Sequence, residues 1–196
     1  MDTTDRTTPD QRSWVRRNRW IVIASAVGAV IGLTLAGGGL QHLKPLFGIE
    51  SDSVRLTEPD ALQGLPRLTG PEIQREAATV KSTYGADVDS VVAAYGASSE
   101  QPELMVHVVA ASLKNPETNL DRLLTDTLGT TPRDVTRVDA GPLGGIAQCA
   151  TAETVQGATA LCSWVADNSF GKIVWVGASL ADATREFAHI RGQFEN

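Results

Sequence analysis

Histidine, cysteine and lysine are scarce in this chain of 196 residues, at three, two and four. Their scarcity limits the chemistry open to it. Neither cysteine has His42, His107 or His189 near it in sequence, so no zinc-ligand spacing arises, and twelve residues separate the thiols where a redox pair prefers two. No G-x-S-x-G elbow, H-E-x-x-H helix, phosphate-cradling G-x-x-x-x-G-K-[ST] loop or EF-hand ladder occurs. The sequence therefore offers no catalytic residue, no cofactor site and no metal site, and it points away from an enzyme. The net charge of −6 is uneven: residues 1–40 carry five arginines against three aspartates, leaving 12 basic and 20 acidic residues beyond them. An acidic globular part argues against nucleic acid as its partner.

Charge is missing altogether from Trp20 to Leu40, WIVIASAVGAVIGLTLAGGGL. As a helix these 21 residues span roughly 31 Å at about 1.5 Å per residue, close to the ~30 Å hydrocarbon core of a lipid bilayer. The stretch before them carries Arg12, Arg16, Arg17 and Arg19 without an acid, and Trp14 and Trp20 suit the headgroup level. The positive-inside rule then predicts a basic cytoplasmic tail at 1–19, a transmembrane helix at 20–40, a juxtamembrane linker at 41–53 and an extracytoplasmic domain at 54–196, held at the cell membrane. Two export signals compete with an uncut anchor. A cleaved secretory signal shares the basic start, and TLA at 34–36 offers small residues to a peptidase, but the apolar run exceeds the usual ~7–15 residues. The pair Arg16-Arg17 is followed by Asn18 and Arg19 where a twin-arginine signal turns apolar. Ala24, Gly28, Gly32 and Ala36 recur every fourth residue, a stripe of small side chains that lets a second membrane helix approach, from a copy of this chain or from another protein.

Beyond residue 53 short alternating runs take over. VRLTEP (54–59), SVVAAYG (90–96), ELMVHVVAA (103–111), DVTRVDA (134–140), IAQCATAE (146–153), TALCSWVAD (159–167) and GKIVWVGA (171–178) read as strands. Three stretches read as helices. Pro71 opens one, with Ile73, Ala77, Val80 and Tyr84 on a single face and Gly85 as its stop. Asn115 caps a second before Pro116, with Leu120, Leu123, Leu124 and Leu128 as its stripe. Ser179 and Asp182 have capping-box spacing ahead of a third, which buries Leu180, Ala183, Phe187, Ile190 and Phe194. Hairpin-linked strands set between helices predict an α+β domain, an antiparallel sheet of about six strands with three packed helices, undivided by any long Ser-Pro-Gly linker.

The two cysteines belong to this plan. If 146–153 and 159–167 form a hairpin closed by TVQG, with Gly157 in the left-handed position, paired residue numbers add to 311. Cys149 and Cys162 also add to 311. They would lie opposite one another, about 4.5–5.5 Å apart at Cα and within reach of a disulfide. Outside the membrane the compartment permits that bond.

VRLTEPDALQGLPR, AAYG, GPLGGIAQC and CSWVAD, followed by a glycine and a strand, resemble the exported domains of uncharacterised actinobacterial single-pass membrane-anchored proteins, which carry a cysteine and, a dozen residues later, Cys-x-Trp text. The resemblance spans most of 54–194 and is most specific from Cys149 to Asp167. It implies an envelope location and the disulfide, and no activity.

A few other residues invite a role. His107 lies mid-strand, Asp167 ends a strand before NSFG as a turn residue, and Trp164 and Trp175 fall on adjacent strands near the cysteines. GPLGG (141–145) precedes a strand and reads as a bend, while Asp87 and Asp89 read as a solvated edge. The expected function is a binding, sensing or accessory module of the cell envelope, whose partners are the lipid bilayer and an envelope or membrane protein, or a second copy in a homodimer. An exported hydrolase and a structural subunit assembling through its membrane helix are the alternatives.

Overall fold

The computed structural model describes residues 50–51, 54–98, 101–128, 131–154 and 157–195. The basic tail, the 20–40 run with its small-residue stripe, and most of the linker lie outside the described residues. No helix among the described residues is long and apolar enough to cross a membrane.

Among the described residues thirteen elements follow in order: β1 (Glu50–Ser51), β2 (Ala61–Leu62), β3 (Leu65–Pro66), α1 (Pro71–Tyr84), β4 (Ser90–Tyr95), β5 (Leu104–Val109), β6 (Ala111–Ser112), α2 (Pro116–Leu128), β7 (Arg133–Val138), β8 (Ile146–Thr154), β9 (Gly157–Val165), β10 (Phe170–Val176) and α3 (Leu180–Phe194). The predicted α+β class holds, with six strands in one antiparallel sheet ordered β4-β5-β10-β9-β8-β7. A β4–β5 hairpin and a β7–β10 meander share this sheet. Their seam joins strands far apart in sequence, from Leu104 opposite Trp175 to Val109 opposite Phe170. Chain crosses from β5 to the far edge through α2.

Alternation along the strands sorts the core into two faces. One carries Tyr95, Leu104, Val106, Cys149, Cys162, Trp164, Ile173 and Trp175, and α3 seals it with Ala183, Phe187, Ile190 and Phe194. The other carries Val109, Phe170 and Val165 beneath Val80 of α1 and Leu120 of α2, with Leu161, Ala150 and Val174 beneath Leu124. A three-layer stack results. Ser179 caps α3: the Asp182 N–H donates to Ser179 Oγ at 3.1 Å, and that hydroxyl donates to Asp182 Oδ2 at 2.7 Å in place of the reciprocal backbone bond of a full capping box. Pro71 starts α1, and the Gly85 N–H donates to the Lys81 carbonyl at its end. Asn115 contributes its backbone carbonyl to Asn119, from a left-handed φ of 56°.

One predicted strand is absent. Leu56 makes only a single bridge, to Glu195, while the Thr57 N–H donates to the Phe194 carbonyl (2.9 Å) and its hydroxyl to the Gln193 carbonyl (2.7 Å). The segment 54–57 thus docks on the last turn of α3 instead of joining the sheet. Its alternation is real, because Leu56 packs on the core, but its backbone partners belong to a helix end. Two short pairings carry no sequence signal: β2 with β3, and β1 with β6.

Two glycines are fixed by close approach. A Cβ on Gly171 would sit 2.3 Å from the His107 carbonyl oxygen and 2.5 Å from the Trp164 ring. On Gly145, whose φ is +91°, it would meet the Val165 carbonyl oxygen at 2.5 Å. The GPLGG bend is therefore seated against the end of β9.

Candidate functional site

β8 and β9 pair in the register whose numbers add to 311, from Ile146 opposite Val165 to Thr154 opposite Gly157. Cys149 and Cys162 face one another and form a disulfide, with S–S at 2.02 Å. Their Cα atoms stand 4.0 Å apart. Both cysteines are fully buried under α3. Near them Trp164 packs on Phe187 with ring centroids 5.8 Å apart, and Trp175 lies buried on the same face.

A charged network sits at the end of this core. The Arg191 Nε donates to Glu195 Oε2 at 3.0 Å, and its Nη1 donates to the carbonyls of Ala140 (3.0 Å) and Gly144 (2.8 Å). Glu195 Oε1 accepts from the indole N–H of Trp164 at 2.8 Å, and the guanidinium lies 5.4 Å from that ring. Arginine and glutamate are each about 1 % exposed. Burial pulls the Arg191 pKa down, and the Glu195 charge opposes the shift. Every one of these contacts is internal, and together they clamp the 139–145 loop to α3.

The opposite face of the sheet holds a different arrangement. One row is polar over five of the six strands: His107 on β5, Lys172 on β10, Ser163 on β9, Gln148 on β8 and Arg137 on β7 are successive cross-strand partners, and only Val92 on β4 ends it with an apolar residue. Its outer half is satisfied by α2. Ser163 Oγ donates to the Leu120 carbonyl at 3.5 Å, Gln148 Nε2 donates to Asp121 Oδ1 at 3.1 Å, and Arg137 pairs with Glu117.

The inner half lies in a furrow. α1 rests chiefly on β4 and α2 on β8 and β9, so β5 and β10, though interior strands, are covered less. Met105, His107 and Lys172 are accordingly only part-buried in mid-sheet. At one end the furrow closes where Tyr84 of α1 meets Phe170 edge-on, 5.2 Å between centroids. Glu76 of α1 reaches in, its Oε1 4.0 Å from His107 Nδ1. Neither the Lys172 ammonium nor either ring nitrogen of His107 has a hydrogen-bond partner among the described residues, and no carboxylate there lies within 4.0 Å of the ammonium.

The electrostatics follow from desolvation. Burial pushes the Lys172 amine down to about 8, against the pull of Glu76 and Asp126. Burial, with Lys172 alongside, holds the His107 imidazole well below its ordinary value. Burial raises the Glu76 carboxyl, and Lys172 opposes the rise. Such a group of three presents a partly neutral amine, a neutral imidazole and a reluctant carboxylate to one furrow. It can bind or exchange protons. A serine nucleophile is not assembled, since Ser163 is fully buried and Lys172 separates it from His107.

Sequence reading had singled out His107 but not its neighbours Lys172 and Glu76. A signal existed: Lys172 alternates with Phe170 and Val174 on an inward face. Arg191 and Glu195 were missed too, although Arg191 falls on the α3 stripe defined by Phe187 and Phe194 and Glu195 follows four residues later, just past the helix end. Asp167 is exposed in the β9–β10 turn, where its backbone carbonyl accepts from the Ser112 hydroxyl. Among the described residues no group of three or more His, Cys, Asp or Glu is placed to hold a metal ion, Asp87 and Asp89 included. The chain matches no protein-family model, and no curated protein or solved structure is significantly similar to it.

Proposed function

We propose that this is a single-pass membrane protein whose outer domain serves the cell envelope as a binding, sensing or accessory module. The observation that carries this reading is the Cys149–Cys162 disulfide, buried at the centre of the α3-covered core. A bond of this kind forms and persists in an oxidising compartment outside the cytoplasm. The uncharged run at 20–40 behind Arg12, Arg16, Arg17 and Arg19 supplies the means of holding the domain there, with the tail inside and residues 54–196 outside. The resemblance to actinobacterial anchored proteins supports the same location.

Crosslinking of the tagged protein in its native membranes, followed by purification and mass spectrometry, tests the reading. The expected result is a reproducible, near-stoichiometric envelope or membrane protein. Recovery of a self-dimer that disappears when Gly28 and Gly32 are replaced by leucine would instead assign assembly to the membrane helix. Mature protein beginning near Gly37 would overturn the anchor.

A further inference from the structure

We propose that the furrow between α1 and α2 is a binding site for a small carboxylic acid with an apolar body, its carboxylate held by Lys172 and His107. The inference rests on the reading of the domain as a binding module and names its ligand class. Three observations carry it. Lys172 and His107 are adjacent on neighbouring interior strands, Lys172 opposite His107 in the pairing, so their polar ends reach the same part of the furrow. Neither has a hydrogen-bond partner among the described residues, and both side chains are part-exposed in the furrow, so their polar ends are open to an incoming acceptor.

The third observation is the surroundings. Met105 and Val174 lie on the same sheet face, with Leu124 of α2 packed on Val174, and Ile73 stands one turn before Glu76 on α1. An apolar body thus has carbon to rest on beside one cation. Glu76 faces the same pair of groups and repels a carboxylate, so it limits affinity without supplying it. Asp126 also acts on Lys172 electrostatically, from α2. A cationic ligand is disfavoured by Lys172 itself, and a neutral one leaves the ammonium unpaired.

The test uses the full-length protein in phosphatidylcholine nanodiscs and benzoate as the probe. Trace acylation of amines near pH 8, read residue by residue by mass spectrometry, compares Lys172 with Lys81 and Lys114, which are exposed. Millimolar benzoate is expected to slow acylation at Lys172 severalfold and to leave the two reference lysines unchanged, while benzyl alcohol has no effect. Benzoate should also raise the unfolding temperature of the parent protein and of Glu76→Gln, with Glu76→Gln binding severalfold tighter, and leave Lys172→Met unshifted. Equal protection of all three lysines, protection by benzyl alcohol, or no protection overturns the site; so does weaker binding by Glu76→Gln. Should Lys172→Met fail to fold, the acylation pattern and Glu76→Gln decide alone. Loss of the site with an envelope partner still recovered by crosslinking refutes this ligand and leaves the accessory reading standing.

Discussion

Replacing Arg191 by methionine removes a cation from the interior and leaves its partner behind. Glu195, about 1 % exposed, would keep only the bond from the Trp164 indole, and the carbonyls of Ala140 and Gly144 would lose their donor. Breaking one side of a buried ion pair costs about 3–5 kcal/mol, because the remaining charge is desolvated without compensation. For a domain of this size that is a fall of roughly 6–20 °C in unfolding temperature, at about 2–4 °C per kcal/mol. Glu195→Gln alone should cost a comparable amount by orphaning the guanidinium. The double variant Arg191→Met, Glu195→Gln leaves no buried charge, keeps an amide oxygen for Trp164, and should lie within about 2 kcal/mol of the parent. Urea unfolding of all four proteins, followed by circular dichroism, measures the cycle. Strict additivity, with the double variant as unstable as the two single losses together, would refute the coupled-pair argument.

Loss of the disulfide in a Cys149→Ala, Cys162→Ala variant should cost about 3 kcal/mol from the loop-closure term, and the parent's cysteines should resist alkylation in the folded state until reduced; rapid labelling without reductant would contradict the bridge. His107 is held neutral by burial and by Lys172, so its folded pKa lies below the unfolded value of about 6.5. Unfolded chains then bind more protons in the window below that value, and this contribution to stability is lost as pH falls through it. His107→Gln should flatten that part of the pH–stability curve, measured in a Glu76→Gln background because Glu76 shifts in the opposite direction; an unchanged slope would show that the imidazole is solvated. Gly171→Ala should destabilise by at least ~2 kcal/mol, since the added carbon meets a carbonyl of the neighbouring strand that cannot turn away; a near-neutral melting curve would mean that the β5–β10 seam has slack.

Much of the fold is local and so could be read from the chain. The register of β8 and β9 follows from alternation and a short closing turn, and the cysteines act as a check on it because a slip of one residue would place them on opposite faces. Ser179 announces α3 through chemistry confined to four residues. Pairing of β5 with β10 has no comparable local mark, since α2 and four strands intervene in sequence. The furrow is less legible still. Alternation tells that His107 and Lys172 share a face, but the spacing of α1 from α2 depends on how Tyr84, Leu120 and Phe170 pack. Arg191 escaped notice for another reason: an arginine on an apolar stripe is normally assigned to solvent, and only the Glu195–Trp164 partnership makes its burial tolerable.

The docking of 54–57 on the end of α3 has a mechanical meaning. Tension applied at residue 54 falls first on the Thr57 bonds to Gln193 and Phe194, at the turn that holds Arg191 and Glu195 in place. Those few bonds would release before the six-stranded sheet is loaded. The β8–β9 hairpin is shielded further, because its disulfide locks the twelve intervening residues out of any extension. The domain therefore has a weak fuse beside its point of attachment and a covalently limited centre, an order of failure that pulling from residue 54 would reveal as a small early step before the main rupture.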